Sequence, residues 1–221
     1  MKTPTLVSIQ VGRPTTHGRA EVADAMDRLW TTSFFKSPIA GPVFVSRTNV
    51  TGDEQTDLKF HGGIDKAVLA YSADHYDVWR RELNRDDLCF DGFGENLTIA
   101  GLSEVDVCIG DVWSLGEVLF EVSQPRQPCW KLARRWRIKE LTALVVQNSR
   151  SGWYLRVLQE GMIEAGQSLA LVTRPHPDST VLRASEVMHH LKEDIALAQQ
   201  LAELPELAAS WQESLLARVN R

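Results

Sequence analysis

The sequence predicts a mainly β fold with helices (α+β), in which a barrel or sandwich is followed by a short helical segment. Two observations favour this class. Many short apolar runs punctuated by glycine lie between residues 4 and 172, a pattern typical of antiparallel barrels and sandwiches rather than of a doubly wound sheet. After the Arg-Pro-His-Pro-Asp turn at 174–178, apolar residues repeat at helical spacing. We therefore place a β domain at 1–174 and a helical domain at 178–221.

The predicted strands are short. The first covers residues 4–11 and ends at Gly12. Gly116-Glu117 is a two-residue turn that predicts a hairpin between the strands on either side. In all, the predicted strands are residues 4–11, 43–45, 66–71, 97–99, 105–109, 111–115, 118–122, 153–158 and 168–172.

Helices are predicted where apolar residues recur every three or four positions. Residues 22–29 have helical character, and Ser72 is a candidate N-cap for a helix that buries Tyr76, Trp79 and Leu83. The C-terminal segment of roughly 45 residues is too small to bury a strong core alone. Its last helix carries an apolar stripe, so it is expected to pack on the barrel or on a second subunit, as a homodimer. The three candidate helices are residues 184–191, 193–204 and 206–219.

Composition excludes several classes of protein. The net charge of −5 argues against nucleic acid or an anionic membrane as the main partner. No segment approaches the roughly 18 apolar residues that a membrane span needs, and no apolar signal peptide follows the first residues. The three cysteines, without a C-x-x-C pair, fit neither a disulfide framework nor a zinc site. We therefore expect a cytoplasmic protein with reduced thiols.

A basic segment surrounds one cysteine. Six cations and no acid lie between Arg126 and Lys139, which suggests an anionic ligand or else a solvated helix face. Cys129 follows a proline and opens a predicted helix, whose dipole and cations favour the thiolate. A thiolate binds a soft metal or attacks an electrophile; a buried structural cysteine is the alternative. Cys89 and Cys108, each between apolar residues, are predicted to be core.

Two glycine turns are candidates for the walls of a ligand site. In His61-Gly62-Gly63 the glycines let the backbone approach a ligand and direct N–H groups at an anion, and Lys66 adds charge. The alternative is a tight loop whose histidine caps a neighbouring element. The segment at 92–96, Gly-Phe-Gly-Glu-Asn, is either a second such wall or an ordinary bend before a strand. A histidine metal site is not expected, because no second histidine lies at ligand spacing.

Four segments together resemble the MOSC domain, the molybdenum cofactor sulfurase C-terminal domain, and specifically its YiiM-like branch. The resemblance covers nearly the whole chain, and it implies a β-barrel with a cofactor cleft, followed by a C-terminal three-helix domain. The segments are Gly-Asp-Glu-Gln at 52–55, His-Gly-Gly-Ile-Asp-Lys at 61–66, Gly-Glu-Asn-Leu-Thr at 94–98 and Ser-Gln-Pro-Arg-Gln-Pro-Cys at 123–129.

The resemblance also implies a cofactor site. Cys129 is expected to supply a thiolate to the molybdenum of a pyranopterin cofactor. Related amidoxime-reducing enzymes hold the pterin and its phosphate with a Lys-Ser pair, matched here by Lys36 and Ser37, and with arginines. Arg126 is a candidate phosphate clamp because guanidinium presents two parallel donors, although it lies farther from the cysteine than in those relatives. The other candidates for the cleft are Arg47, His61, Gly62, Gly63, Lys66, Asn96 and Ser123.

The activity that the resemblance implies is reduction of N-hydroxylated compounds, such as hydroxylaminopurines and amidoximes, to amines. Nothing in the sequence is similar to a flavin or haem site, so we expect electrons from a separate flavoprotein reductase, docked near Arg134 and Arg135. His61 is a candidate proton donor. The alternatives are a non-catalytic carrier of the cofactor or of sulfur through Cys129, and a pyridoxal-phosphate binder that uses Lys36 or Lys66.

Overall fold

The computed structural model describes residues 3–57 and 62–219. Its strands and helices are short, as the glycine-punctuated sequence predicts. The strands are β1 (Thr5–Val11), β2 (Thr15–His17), β3 (Trp30–Thr32), β4 (Ser37–Pro38), β5 (Val43–Val45), β6 (Val68–Ser72), β7 (Leu97–Ala100), β8 (Val112–Leu115), β9 (Val118–Pro125), β10 (Trp153–Gln159), β11 (Gly161–Ile163) and β12 (Ala170–Thr173). The α-helices are α1 (Asp74–Leu83), α2 (Trp130–Trp136), α3 (Leu141–Asn148), α4 (Val181–His189), α5 (Ile195–Ala202) and α6 (Ala209–Val219), and a 3-10 turn covers Ile64–Lys66.

One mixed sheet of eight strands, in the order β12-β8-β9-β10-β6-β7-β1-β4, forms the centre of the fold. Within it β6 and β7 are parallel and are connected through α1. Leu6 N donates to Gln167 O and Leu169 N donates to Pro4 O, each at 2.9 Å. Because these bonds join the segment just before β12 to β1, which is next to the last strand at the opposite end, the sheet curves round into a barrel.

Alternation along β10 shows how the strands fill this barrel. Trp153, Leu155 and Val157 are buried in the main core, whereas Tyr154 and Arg156 between them are only partly buried. Successive side chains of a strand point to opposite faces of the sheet. The apolar positions of β10 therefore face the barrel interior, and Tyr154 and Arg156 face outward.

The predicted hairpin is confirmed, since β8 and β9 pair across Gly116-Glu117. Gly116 has φ +56°, and a Cβ on it would lie 2.5 Å from the carbonyl oxygen of Met162. Only glycine adopts this backbone conformation without strain, and it also leaves room for the strand that crosses the turn.

The three predicted C-terminal helices are confirmed, and they pack on the barrel. Thr180 caps α4 by accepting from Arg183 N at 3.0 Å, and Asp194 caps α5 by accepting from Leu197 N at 3.0 Å. Val187, Leu201 and Trp211, one from each helix, are buried in the same core as the barrel strands. The chain is therefore α+β, a barrel followed by three helices.

A second core lies outside the barrel, between α1, α2, α3 and the turn at 92–94. Its aromatic centre contains Phe93, which stacks on Tyr71 with ring centroids 4.4 Å apart. Trp136 of α2 closes it and donates from Nε1 to Gly92 O at 2.7 Å. This core fixes α2 against the 92–94 turn, so it positions two segments that border the cleft described below.

Two predicted elements are wrong. Residues 22–29 form turns instead of a helix, because Asp24 accepts from Met26 N at 2.9 Å and Glu21 takes a positive φ of 56°. Residues 105–109 also form turns, apart from one bridge between Cys108 and Thr180. Asp111 accepts there from Cys108 N at 2.9 Å. Aspartate side chains compete in this way with regular backbone pairing.

In the ranges that the structure describes, the helices are too short or too polar to cross a membrane.

Candidate cofactor site

A solvent-open cleft of about 600 Å³ lies between the start of α2, the 92–94 turn and the loops that follow β3 and β5. Cations and aromatic rings supply much of its wall. Among the residues that line it are Phe34, Lys36, Asp53, Gly62, Lys66, Phe93, Gly94, Asn96, Arg126, Cys129, Lys131 and Tyr154.

Cys129 lines the cleft at the start of α2. It is the N-cap residue, with an extended backbone (φ −116°, ψ 166°), and its side chain is partly exposed. Its carbonyl oxygen accepts from Leu132 N and from Thr142 Oγ1, both at 3.2 Å. The prediction that Cys129 opens a helix is confirmed. Since Leu132 and Trp136 are buried on the same helix, packing holds the cysteine at the cleft.

Arg126 carries a buried guanidinium charge with an unsatisfied hydrogen-bond donor. Its backbone N donates to Gly152 O at 2.9 Å, and its guanidinium lies 5.9 Å from the centre of the Phe34 ring. The residue is only 4% exposed, and Nη1 has no hydrogen-bond partner among the described residues. An unpaired buried charge is costly. The cleft therefore offers an anion a donor that the protein leaves unsatisfied.

Lys36, by contrast, already has a counter-charge. Its ammonium contacts the buried carboxylate of Asp53, which also accepts from Gly12 N at 2.7 Å and from Asn96 Nδ2 at 2.9 Å. Burial lowers the pKa of Lys36, and the Asp53 carboxylate opposes that change. Lys36 is thus part of the wall, in an ion pair that holds three loops together.

Asn96 lines the cleft but uses its amide for structure. Its Oδ1 accepts from Leu69 N at 3.2 Å, and its Nδ2 donates to Gln10 O at 3.2 Å as well as to Asp53. The amide therefore connects β1, β6 and the Asp53 loop. Its side chain fixes the floor of the cleft.

The glycine turn after the undescribed residues 58–61 supplies another wall, and His61 itself lies outside the described residues. Gly62 and Lys66 line the cleft, and burial lowers the pKa of Lys66. Gly63 has φ +82°, is exposed, and is not among the described residues that line the cleft. Ser123 does not reach it either, because its hydroxyl donates to Asp65 O at 2.6 Å and to Tyr154 O at 3.1 Å.

Ser37 and Arg47 also lie apart from this cleft. Ser37 is exposed on the edge strand β4. Arg47 is exposed and donates from its guanidinium to Val157 O at 2.9 Å, toward the far end of β10. Of the predicted site residues that the structure describes, it brings together Lys36, Gly62, Lys66, Asn96, Arg126 and Cys129, and leaves Ser37, Arg47, Gly63 and Ser123 outside.

The basic segment is largely used within the chain and does not form a solvated face. Arg135 is nearly buried and donates to both carboxylate oxygens of Asp91 at 2.8 Å. Arg134 lies between the rings of Trp30 and Trp130, 5.0 and 5.2 Å from their centres. These two arginines lie in the last turn of α2 and pack it against the loops before it. Docking of a reductase near them stays a prediction.

Two cysteine predictions have different outcomes. Cys108 is buried, as predicted. Cys89 is exposed, so its assignment to the core is wrong. It lies in the turns between α1 and β7, where Leu88 and Phe93 occupy the buried positions at 1% and 0% exposure.

Tyr154 is a cleft residue that the sequence reasoning missed. It lies on the outer face of β10, and burial raises its pKa to about 12, with the Arg126 cation opposing that shift. Its hydroxyl is therefore protonated at neutral pH. The period-two alternation of Trp153, Tyr154 and Leu155 was visible in the sequence, but it does not say what covers the outer face.

Comparison with known proteins decides the family. The sequence profile of the MOSC domain matches residues 57–170. The chain belongs to the MOSC family. The profile of the YiiM-like, 3-alpha helix domain matches residues 180–221, the segment that folds as α4, α5 and α6. The resemblance seen in the sequence is thereby confirmed.

Individual relatives agree with this assignment. The crystal structure of YiiM from Geobacillus stearothermophilus is 37% identical, superposes with a TM-score of 0.81 and covers 98% of this chain and 99% of its own. The uncharacterised protein YflK of Bacillus subtilis (strain 168) is 41% identical over 86% of each chain. A protein named "Reductase" in Gibberella moniliformis is 38% identical over 79% of this chain but only 32% of its own length.

Proposed function

We propose that this protein holds a molybdenum–pyranopterin cofactor in the cleft and reduces N-hydroxylated compounds to amines. The observation that carries the proposal is the pairing of a cleft-facing cysteine, Cys129, with the buried and unpartnered Nη1 of Arg126. The MOSC domain takes its name from molybdenum cofactor sulfurase, and membership of that family together with a relative named "Reductase" fits an oxidoreductase role.

The residues present fit such a group. Its phosphate is an anion that needs charged donors, and Arg126, Lys66 and Lys131 supply positive charge in the cleft wall. Its metal is bound through sulfur, and Cys129 is the cysteine of the cleft wall. Phe34 and Phe93 add flat apolar surface suited to a ring system. In this assignment Cys129 holds the metal, and the cations hold the phosphate.

The overall reaction is R–NHOH plus two electrons and two protons, which gives R–NH2 and water. When bound, the cofactor supplies the two-electron redox chemistry. The chain supplies the cysteine ligand, the orientation of the substrate and the protons. His61 is the proposed proton donor because an unperturbed imidazole has a pKa near neutral pH. Electrons come from a separate reductase, which we propose to be a flavoprotein.

A second candidate function uses the same cysteine. Cys129 is partly exposed in an open cleft, which also suits a carrier that passes on the cofactor or a persulfide sulfur without turnover. A pyridoxal-phosphate binder would form its Schiff base with Lys36, which is held by Asp53, or with Lys66 of the cleft wall. The carrier is the first alternative to exclude experimentally, because it uses the same cysteine as the reductase.

Turnover distinguishes the reductase from the carrier. The protein is produced in a host that makes the cofactor, and the reduction of a hydroxylaminopurine is followed with a chemical electron donor. We expect activity in the wild type and its loss in Cys129→Ala, while Cys89→Ala, which changes an exposed cysteine outside the cleft, retains activity. Metal binding without turnover would favour the carrier. A wild type without metal would contradict both the reductase and a carrier of the cofactor.

A further inference from the structure

Tyr154 is a cleft residue for which the cofactor assignment above provides no role. It lies in the middle of β10, opposite Gln124 of β9 and Leu69 of β6. Its backbone oxygen accepts from Ser123 Oγ at 3.1 Å, so the strand is held on both sides. The position of the ring is thus set by the barrel wall.

The hydroxyl of Tyr154 is available to donate a hydrogen bond to a ligand in the cleft. No hydrogen bond from it to any described residue is present, whereas the hydroxyls of the chain's other tyrosines donate to Arg150 O (Tyr71) and Glu95 Oε1 (Tyr76). Arg126 and Cys129 line the same cleft and both influence the pKa of its phenol. A neutral donor therefore lies near both the proposed phosphate clamp and the proposed metal ligand.

The burial of Tyr154 determines what it can donate. Because its pKa is raised to about 12, the phenol keeps its proton throughout the neutral range. A neutral hydroxyl binds a phosphate dianion less strongly than the neighbouring guanidinium does. It is a good match for a substrate oxygen that is neutral at first and gains negative charge during the reaction.

We propose that the Tyr154 hydroxyl donates a hydrogen bond to the N-hydroxyl oxygen of the substrate and stabilises the charge that develops there as the N–O bond breaks. The inference rests on the proposed function. Two electrons, supplied by the separate flavoprotein, cleave the N–O bond. Nitrogen takes one proton to form R–NH2, and oxygen takes the other to leave as water. Tyr154 keeps its own proton, so both protons come from the proton donor and solvent.

The test is a kinetic comparison of the loaded wild type with Tyr154→Phe. Removal of one donor to a developing oxyanion typically costs about 100-fold in kcat, and we expect a fall of that size with KM nearly unchanged. Molybdenum content is measured on the same samples and is expected to equal that of the wild type. Tyr71→Phe, which removes a buried hydroxyl in the second core, serves as the matched control and should retain kcat within about threefold.

A second measurement separates donation from packing. Replacing Tyr154 by a fluorinated tyrosine lowers the phenol pKa at nearly the same size, so the alkaline decline of kcat should begin at a lower pH. A structural role would leave the pH profile unmoved.

Three outcomes would overturn the proposal. They are an unchanged kcat in Tyr154→Phe, a loss of molybdenum that matches the loss of activity, and a pH profile that the fluorinated residue does not shift. Each of these leaves wild-type turnover intact, so the proposed function survives. A fully loaded wild type that reduces no N-hydroxylated compound would overturn both.

Discussion

Arg156 and Asp65 form an ion pair that connects the C-terminal helices to one wall of the cleft. Arg156 Nε donates to Asp65 Oδ1 at 2.6 Å, and Nη1 donates to Glu121 Oε1 and to Glu206 O, each at 2.6 Å. The second carboxylate oxygen of Asp65 accepts from Ala209 N, the first residue of α6, at 3.4 Å. Because Asp65 directly precedes Lys66, the helical segment helps to place a cleft cation.

Removal of the Arg156–Asp65 ion pair should lower both the stability of the fold and the retention of the cofactor in the cleft. Arg156→Met leaves Asp65 and Glu121 without their cation, so we expect the free energy of unfolding to fall by about 2 kcal/mol. Cofactor retention, measured as molybdenum remaining after gel filtration, should fall too. The matched control is Arg183→Met, which breaks an exposed pair with Glu186 and should cost at most about 0.5 kcal/mol. Equal effects of the two variants on stability and retention would contradict this role.

Glu95 predicts a specific dependence of stability on pH. It is fully buried and accepts from Tyr76 OH, Asp91 N, Phe93 N and Thr98 Oγ1, yet burial raises its pKa above 4.5. The folded state therefore binds the Glu95 proton more tightly than the unfolded state. The stability that this proton contributes is complete below pH 4.5 and is lost as pH rises through the folded pKa.

The measurement is urea unfolding of wild type and Glu95→Gln from mildly acidic to neutral pH. We expect the free energy of unfolding of the wild type to exceed that of Glu95→Gln by most at the acidic end, and this difference to shrink as pH rises. Glu213→Gln, at an exposed position of α6, should show a nearly flat difference. An advantage that grows with pH would mean that the ionised carboxylate is the favoured form in the fold.

Two glycines allow backbone strain to be separated from crowding in the cleft. Gly94 (φ +78°) would place a Cβ 2.8 Å from the Phe34 ring, whereas Gly63 (φ +82°) has open space at that position. We expect Gly63→Ala to cost about 1 kcal/mol from strain alone, and Gly94→Ala about 2 to 4 kcal/mol because the ring must also move. Thermal unfolding compares them, and equal costs would show that Phe34 moves freely.

Local patterns predicted much of the fold. The β8–β9 hairpin and the three C-terminal helices follow from turn residues and from apolar spacing within each segment. Residues 22–29 were mispredicted because the Asp24 side chain accepts from Met26 N and favours a turn there. Apolar spacing does not register that competition. Cys89 was misassigned because its apolar neighbours, Leu88 and Phe90, do not reveal which of the three is buried.

The site was predictable where one segment carries it. Cys129 and Arg126 lie three residues apart, and the resemblance to the MOSC domain named both. Ser123 belongs to the same segment, but a contact with Asp65, distant in the sequence, turns its hydroxyl from the cleft. Tyr154 was missed because alternation separates the two faces of a strand without identifying what each face meets. Such long-range relationships require the fold.

The most direct test of the account is the molybdenum content per chain of protein purified from a cofactor-producing host, for wild type, Cys129→Ala and Cys89→Ala. Near-stoichiometric metal is expected in the wild type and in Cys89→Ala, and a large loss of metal is expected in Cys129→Ala. Absence of molybdenum from the wild type, or equal metal in all three proteins, would contradict the assignment of Cys129 as the ligand of the metal.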